Sequence, residues 1–95
     1  MLLLAKFKIS GHSMTPGIKN GETVLVSGIF YLFKNPQIGD IVAFREAEKI
    51  LIKRITGVKD KEYFLEGDNN RDSLDSKNFG FILRENIIGK VIYKL

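Results

Sequence analysis

The clearest structural signal in the chain is the segment ILIKRITGVKDKEYFLE, residues 50–66. Residues 50–58 are rich in isoleucine, valine and threonine, whose branched side chains favour extended strands. The polar residues 59–61 interrupt this run, and residues 63–66 are again apolar and aromatic. Two such runs separated by a short polar turn are typical of a β-hairpin. The segment therefore predicts a long strand, a tight turn and a second antiparallel strand.

Four other runs have the same character, with alternating apolar and polar residues or an excess of β-branched side chains. These runs are residues 6–9, 23–27, 41–44 and 87–93, and turns containing Gly, Pro, Asn and Asp separate them. No segment longer than ten residues carries a convincing helical stripe, although residues 28–33 fit either a short helical turn or a loop. We therefore predict an all-β domain with little helix, built as small antiparallel sheets or a partly closed barrel.

The length of 95 residues bounds both the fold and the function. It predicts one small domain over residues 1–95, and it excludes doubly wound nucleotide enzymes and TIM barrels, which need far longer chains. The chain has no cysteine, which excludes a disulfide scaffold, a thiolate zinc site and a cysteine nucleophile. Its single histidine excludes a histidine-rich metal site.

The net charge is +4, but the basic residues are spread along the chain and no run of five or more occurs. This pattern favours an ordinary solvated surface, with a mild preference for anionic membrane surfaces as the alternative, and it predicts no nucleic-acid partner. Lys6 and Lys8 follow the apolar residues 1–5, which are too few for a membrane span or an export signal. We therefore expect the chain to lack a membrane anchor of its own.

The apolar residues 29–33, IFYLF, allow two interpretations. They could pack into the small core. They could instead form an exposed patch that lies at a membrane interface, which the neighbouring Lys34 would suit.

Ser13 is the first candidate for chemistry, because it lies in a long polar connector formed by residues 11–21. A serine hydroxyl needs a base to act as a nucleophile near neutral pH. His12 is adjacent in sequence, which is a poor geometry for that base, and it fits better as a loop imidazole lining a cleft. Taken alone, a serine in a turn rich in glycine and proline is usually a turn residue.

Lys53 is the stronger candidate for the base, because it lies at the centre of the long predicted strand. Period-two alternation puts it on one face with Leu51 and Ile55, while Arg54 faces the other way. Lowering a lysine pKa from about 10.4 to about 7–8 among apolar neighbours costs roughly 3–5 kcal/mol, which burial can supply. A neutral amine could then accept the Ser13 proton. A lysine that snorkels from an edge strand is the alternative.

A second long connector, residues 67–80, contains polar side chains that could support such a site. Ser73, Asp75 and Lys77 follow one another at intervals of two, so an extended segment would put all three on one side. From the residues alone, a solvated loop with an internal ion pair is the alternative.

Three segments together resemble the conserved boxes of the type I signal peptidase family, and of the wider clan that includes LexA-type self-cleaving repressors. The nucleophile box is similar to residues 9–16 (ISGHSMTP), the lysine box to residues 52–55 (IKRI), and the third box to residues 67–80. The likeness extends over residues 7–93. Because Lys53, rather than a histidine, stands at the position of the base, the chain resembles the bacterial Ser-Lys members of the family.

This resemblance implies roles for individual residues. Ser13 would be the acylating nucleophile, its backbone N–H would be an oxyanion donor, and Lys53 would be the general base. Ser73 would orient the Lys53 amine, and Asp75 would pair with Lys77 to brace the site. The residues that bind substrate would be Gly11, His12, Met14 and Pro16. The resemblance implies no metal and no cofactor.

The sequence departs from the family pattern at three points. Gly11 occupies the position where some members have a serine hydroxyl in the oxyanion hole, and Gly17 stands where threonine is usual. Only 13 residues, 54–66, separate Lys53 from the third box. We therefore expect the accessory domain of some bacterial members to be absent, together with the membrane anchor. The chain also resembles the small soluble proteases that mature nickel-type superoxide dismutase by trimming the N-terminus of its precursor.

The resemblance therefore predicts a serine endopeptidase with a Ser-Lys dyad that cleaves signal peptides, or a short N-terminal propeptide, after small residues. Its partner would be that precursor or signal peptide, with a membrane surface as a further partner and no nucleic acid. A tethered chain would act at a membrane, on its extracytoplasmic face, whereas a soluble maturation protease would be cytoplasmic. Two alternatives remain. One is a non-catalytic β module of the same fold that binds extended peptides. The other is a LexA-type peptidase fragment, which the six residues before the match disfavour.

Overall fold

The computed structural model describes residues 4–69 and 76–95. Seven strands run through these residues: β1 (Leu4–Lys8), β2 (Thr23–Ser27), β3 (Ile41–Glu46), β4 (Lys49–Lys59), β5 (Glu62–Glu66), β6 (Ile82–Leu83) and β7 (Ile87–Lys94). Two four-residue helices, α1 (Phe30–Phe33) and α2 (Ser76–Phe79), and a 3-10 turn over Arg84–Asn86 also occur. The prediction of an all-β fold with little helix is confirmed.

The strands form one antiparallel sheet in the order β1-β2-β7-β3-β4-β5-β6. The long strand β4 has two partners, because residues 49–54 pair with β3 and residues 54–59 pair with β5. Among the described residues, no strand pairs with the other edge of residues 49–52, so the first four residues of β4 present an unpaired edge. Strand β1 presents a second edge, since it lies at the end of the sheet beside β2.

The predicted hairpin is the connection between β4 and β5. Asp60 and Lys61 have φ angles of 52° and 64°. A two-residue type I′ turn requires the left-handed region at both central positions, which explains why the connection is so short. Strand β6 was not predicted, because a run of two residues has no measurable period. Helix α2 lies inside the connector that the sequence predicts to be a loop.

Strand β3 lies at the centre of the core, because both of its faces are buried. Val42, Ala43 and Phe44 are all fully buried. Since successive strand residues point to opposite faces, they divide between two apolar clusters. Val42 and Phe44 belong to the first cluster, with Tyr31, Ile55, Tyr63, Leu65, Ile82 and Ile87. Ala43 belongs to the second cluster, with Met14, Ile18, Val24 and Val26. The sheet is therefore packed with apolar side chains on both faces.

Of the apolar residues 29–33, some pack into the core and others are exposed, so each of the two predicted arrangements holds for part of the segment. Tyr31 is buried in the first cluster, whereas Leu32 is 57% exposed and Phe33 is 86% exposed. The Tyr31 hydroxyl donates a hydrogen bond of 2.7 Å to Asp40 Oδ2, which fastens α1 to the start of β3. In the parts of the chain that the structure describes, no helix is long and apolar enough to span a lipid bilayer.

Candidate active site

A cleft of about 170 Å³ lies between residues 10–21, which we call the nucleophile turn after the role predicted for Ser13, and the first half of β4. Its walls are Phe7, Lys8, Ile9, Ser10, Ser13, Met14, Ile50, Leu51, Ile52 and Lys53. Strands β1 and β4 are separated by three other strands in the sheet. The sheet must therefore curl for both strands to line one cleft, which agrees with a partly closed barrel.

Lys53 is buried, with only 4% of its surface exposed. It lies on β4 opposite Val42 of β3. Ile55 is fully buried and Leu51 packs against the same apolar cluster, as the alternation along the strand predicts. Lys53 is therefore a buried amine at the wall of the cleft, on the same face of β4 as these apolar neighbours.

Ser13 is half-buried and lies in the nucleophile turn, which hydrogen bonds close at its base. Ile9 N–H donates to Glu22 O at 2.7 Å, and Gly21 N–H donates to Ile9 O at 2.8 Å. Next to Ser13, Met14 is 1% exposed and belongs to the second apolar cluster. Burial of this side chain anchors the turn to the sheet and keeps Ser13 at the cleft wall.

Glu22 holds the far end of the nucleophile turn. Its Oε1 accepts a hydrogen bond of 2.6 Å from the Lys19 N–H, and Lys94 Nζ lies 3.4 Å from its Oε2. The backbone hydrogen bond from Lys19, assisted by the charge of Lys94, lowers the pKa of Glu22. The carboxylate is therefore stabilised in the charged form that accepts both interactions.

Asn69 connects the segment after β5 to the nucleophile turn. Its backbone N–H donates to Ser13 O at 2.7 Å. Its side-chain Nδ2 donates to His12 O at 3.0 Å and to Thr15 Oγ1 at 3.2 Å. Two hydrogen bonds from Asn69 therefore hold the peptide groups on both sides of Ser13, and a third binds the Thr15 side chain.

Arg54 and Asp68 support this arrangement from β4. Arg54 Nε and Nη2 donate to the two oxygens of Asp68, each at 2.9 Å, and Arg54 Nη1 donates to Gly39 O at 2.8 Å. The hydrogen bond with Asp68 is the main reason that the pKa of Arg54 is raised. Because Asp68 precedes Asn69, this pair fixes the segment that reaches the nucleophile turn.

The structure brings some of the predicted site residues together. Ser13, Lys53 and Met14 line the same cleft. Gly11, His12 and Pro16 belong to the nucleophile turn without being among the lining residues of the cleft, and their role in binding substrate stays a prediction.

The predicted support residues are only partly described. Ser73 and Asp75 lie outside the described residues, so the predicted Ser73–Lys53 and Asp75–Lys77 contacts stay predictions. Lys77 Nζ lies 3.6 Å from Glu66 Oε2. The other oxygen of that carboxylate, Oε1, accepts a hydrogen bond of 2.7 Å from Thr56 Oγ1.

Sequence reasoning did not identify the role of Asn69 and Thr15. An asparagine beside an aspartate in a polar connector indicates side-chain bonding to turn backbone. That pattern does not reveal which turn is bound, because Asn69 and His12 are 57 residues apart. Only the folded sheet brings the two connectors together.

Comparison with known proteins places the chain in a family. A family model described as "Signal peptidase, peptidase S26" matches residues 1–59 and 56–95. The chain belongs to the S26 signal peptidase family. The resemblance to type I signal peptidases is thereby confirmed at the level of the family.

Individual S26 relatives are distant. The chain is 25% identical to the probable signal peptidase I-1 of Synechocystis sp., over 90% of this chain and 68% of that protein. It is 26% identical to signal peptidase I V of Bacillus subtilis, over 90% of this chain and 82% of that protein. It is 24% identical to the chloroplastic thylakoidal processing peptidase 1 of Arabidopsis thaliana, over 90% of this chain and 40% of that protein.

The alignments also indicate a difference in length within the matched region. The alignment with the Synechocystis protein runs over 133 positions, although this S26 chain has 95 residues. That relative therefore contains insertions between segments that match this chain.

Proposed function

We propose that this S26 chain is a serine endopeptidase that cuts a signal peptide or a short N-terminal propeptide, with Ser13 as nucleophile and Lys53 as general base. The observation that carries the proposal is that Ser13 and the buried Lys53 line one cleft, although they come from distant parts of the chain. Membership of the S26 family supports the same chemistry.

The proposed reaction begins with attack of Ser13 Oγ on the scissile carbonyl carbon, while the neutral Lys53 amine takes the hydroxyl proton. The oxygen of the tetrahedral intermediate accepts a hydrogen bond from the Ser13 backbone N–H. Lys53 then returns the proton to the leaving amine, which leaves an acyl group on Ser13. Lys53 next removes a proton from a water molecule that attacks the ester carbonyl carbon, and it then gives this proton to the departing Ser13 Oγ, which restores both residues. Burial of Lys53 supports these steps, because it favours the neutral amine.

The edges of the sheet support binding of the substrate as an extended strand. Residues 49–52 of β4 and strand β1 both present backbone edges near the cleft that no described strand pairs with. An extended peptide between them could add to one or both edges through main-chain hydrogen bonds. The cleft of about 170 Å³ is small, and apolar side chains such as Ile9, Met14 and Ile52 form part of its walls. Such a space suits small apolar side chains near the cut.

The natural substrate is then a precursor protein with small residues before its cleavage site. A membrane-bound precursor with a signal peptide and a soluble precursor with a propeptide both fit this description. The likeness to proteases that mature nickel-type superoxide dismutase is a narrower hypothesis for the second kind. Cleavage of each kind of precursor by the purified chain, with and without anionic vesicles, separates them.

A peptide-binding module without catalysis is the second candidate, because the same two unpaired edges would hold an extended peptide without any reaction. Mass spectrometry of a peptide with an Ala-x-Ala site, incubated in detergent between about pH 6 and pH 10, distinguishes the candidates. We expect one cut after the second alanine, lost in Ser13→Ala and kept in Ser27→Ala. Binding of the peptide without cleavage by either protein would favour the module, and a cut that persists in Ser13→Ala would exclude Ser13 as nucleophile.

A further inference from the structure

The carbonyl oxygen of His12 is the most heavily hydrogen-bonded acceptor in the nucleophile turn. Thr15 Oγ1 donates to it at 2.7 Å, Asn69 Nδ2 at 3.0 Å and the Thr15 backbone N–H at 3.2 Å. A carbonyl oxygen has two lone pairs, so three donors occupy its acceptor capacity fully. The position of this oxygen is therefore strongly fixed.

Fixing this oxygen also fixes the direction of the Ser13 N–H. His12 C=O and Ser13 N–H belong to one planar peptide group, and in a trans peptide the two bonds point in opposite directions. Donors on the oxygen side therefore direct the N–H away from Asn69 and Thr15. Among the residues that the structure describes, none accepts a hydrogen bond from the Ser13 N–H.

Asn69 holds the next peptide group as well. Its backbone N–H donates to Ser13 O at 2.7 Å. The peptide groups before and after the Ser13 Cα are thus both bound by one residue, which restrains the backbone φ and ψ angles of Ser13 and so the direction of its N–H relative to the Cα–Cβ bond. Asn69 is itself held through Asp68, which makes two hydrogen bonds with Arg54 of β4, the residue after Lys53.

We propose that Asn69 and Thr15 are positioning residues, which orient the Ser13 backbone N–H as the oxyanion donor by binding the His12 carbonyl oxygen. This inference rests on the proposed function. Donors on a carbonyl oxygen also polarise the amide, which strengthens its N–H as a donor. The arrangement supplies a reason why a member with Gly11, and hence no side-chain hydroxyl at that position, can rely on a backbone donor.

The kinetic test uses variants that remove one donor each and preserve side-chain shape. Asn69→Asp replaces the donating Nδ2 with an acceptor, and Thr15→Val removes the hydroxyl. We expect each to lower kcat by about 10–100-fold while KM changes by less than about twofold, because a misdirected oxyanion donor affects the transition state. Thr15→Ser, which retains the hydroxyl, should keep most of the activity. Asn35→Asp changes charge identically at an exposed position and should leave kcat unchanged.

The second measurement does not need turnover. The backbone amide of Ser13 is followed by NMR, through its chemical shift and its rate of hydrogen exchange. We expect both to change in Asn69→Asp and Thr15→Val and to stay constant in Asn35→Asp. If the wild-type chain cuts no peptide, the proposed function fails, while the amide signal still decides whether these two residues position Ser13. An unchanged Ser13 amide, or a raised KM with constant kcat, would overturn the inference.

Discussion

Arg54 and Asp68 meet through two parallel hydrogen bonds, Nε to Oδ1 and Nη2 to Oδ2, both 2.9 Å long. Side chains of both residues are about one-third exposed, at 37% and 30%. At such a position an ion pair held by one contact contributes little to the free energy of unfolding. Here the planar guanidinium makes two contacts with the carboxylate and also donates to Gly39 O. This geometry therefore joins β4, the start of β3 and the segment that reaches Ser13.

Replacing Arg54 with lysine should lower the free energy of unfolding by about 1 kcal/mol, because an ammonium cannot form the two parallel bonds together with the bond to Gly39. Urea denaturation measures the change. Arg45→Lys is the matched control, since Arg45 is exposed on β3. Equal midpoints for the two variants would mean that the bidentate geometry contributes nothing to stability.

Peptide cleavage should depend on the protonation of Lys53. Since the neutral amine is the proposed base, kcat/KM should rise with pH as the protonated fraction of Lys53 falls, and then level off. Lys53→Ala should lower kcat by about 10²–10⁴-fold, whereas Lys59→Ala, at the exposed far end of the same strand, should not. A profile that is flat between about pH 5 and pH 9 would contradict the role of Lys53.

The buried Tyr31 should make the free energy of unfolding depend on pH in the alkaline range. Burial, together with the hydrogen bond to Asp40, raises the pKa of Tyr31 well above its usual value. The phenol therefore stays protonated in the folded chain, while in the unfolded chain it ionises at about pH 10. Its contribution to stability is complete below that pH and is lost as the pH rises further.

Tyr31→Phe should accordingly lower the free energy of unfolding by about 1–2 kcal/mol at neutral pH, because Asp40 loses a hydrogen-bond donor. The difference from the wild type should shrink above about pH 10. Urea denaturation at neutral and alkaline pH measures both effects. Tyr93→Phe is the control, as Tyr93 is 63% exposed. A difference that stays constant across this range would exclude the proposed coupling to ionisation.

Gly89 in β7 leaves no room for a side chain. A Cβ at this position would lie 2.5 Å from Ser27 O and 2.9 Å from Val26 Cγ1, both in the neighbouring strand β2. We expect Gly89→Ala to lower the free energy of unfolding by about 2–3 kcal/mol, because backbone must move to relieve the contact. At Gly17 the nearest atom would be 3.8 Å away, so Gly17→Ala should change stability by less than about 0.5 kcal/mol. Equal losses would show that β2 and β7 separate readily.

The strands were largely predictable because most of them have one buried and one less buried face. The predicted strand over residues 23–27 coincides with β2, whose side chains alternate between buried and half-buried. Residues 50–58 likewise predicted nearly all of β4. Strand β6 and helix α2 were missed, because elements of two and four residues show no period. Their positions are set by packing against β5, where Ser76 Oγ accepts a hydrogen bond from Leu65 N–H.

The candidate site was predictable to the extent that it depends on local alternation or on family resemblance. Period two along β4 indicated that Lys53 faces apolar neighbours, and the structure buries it. Residue types alone did not reveal that Asn69 binds both peptide groups of Ser13, because that contact depends on how the curled sheet brings two connectors together. The unpaired edge of β4 has a similar origin, since it results from where β5 stops pairing.

The long separation between His12 and Asn69 has a consequence for folding. Their hydrogen bond closes a loop of 57 residues, and contacts of such long range form after local ones because their entropic cost is higher. During synthesis of the chain, Ser13 is made early, whereas Asn69, which binds the turn around Ser13, is made late. We therefore expect that, during refolding, Ser13 becomes reactive towards a serine-directed probe only after the hairpin of β4 and β5 is complete. Under the proposed function, a partly synthesised chain would then have an unreactive Ser13 hydroxyl and would cut no peptide until its sheet is complete.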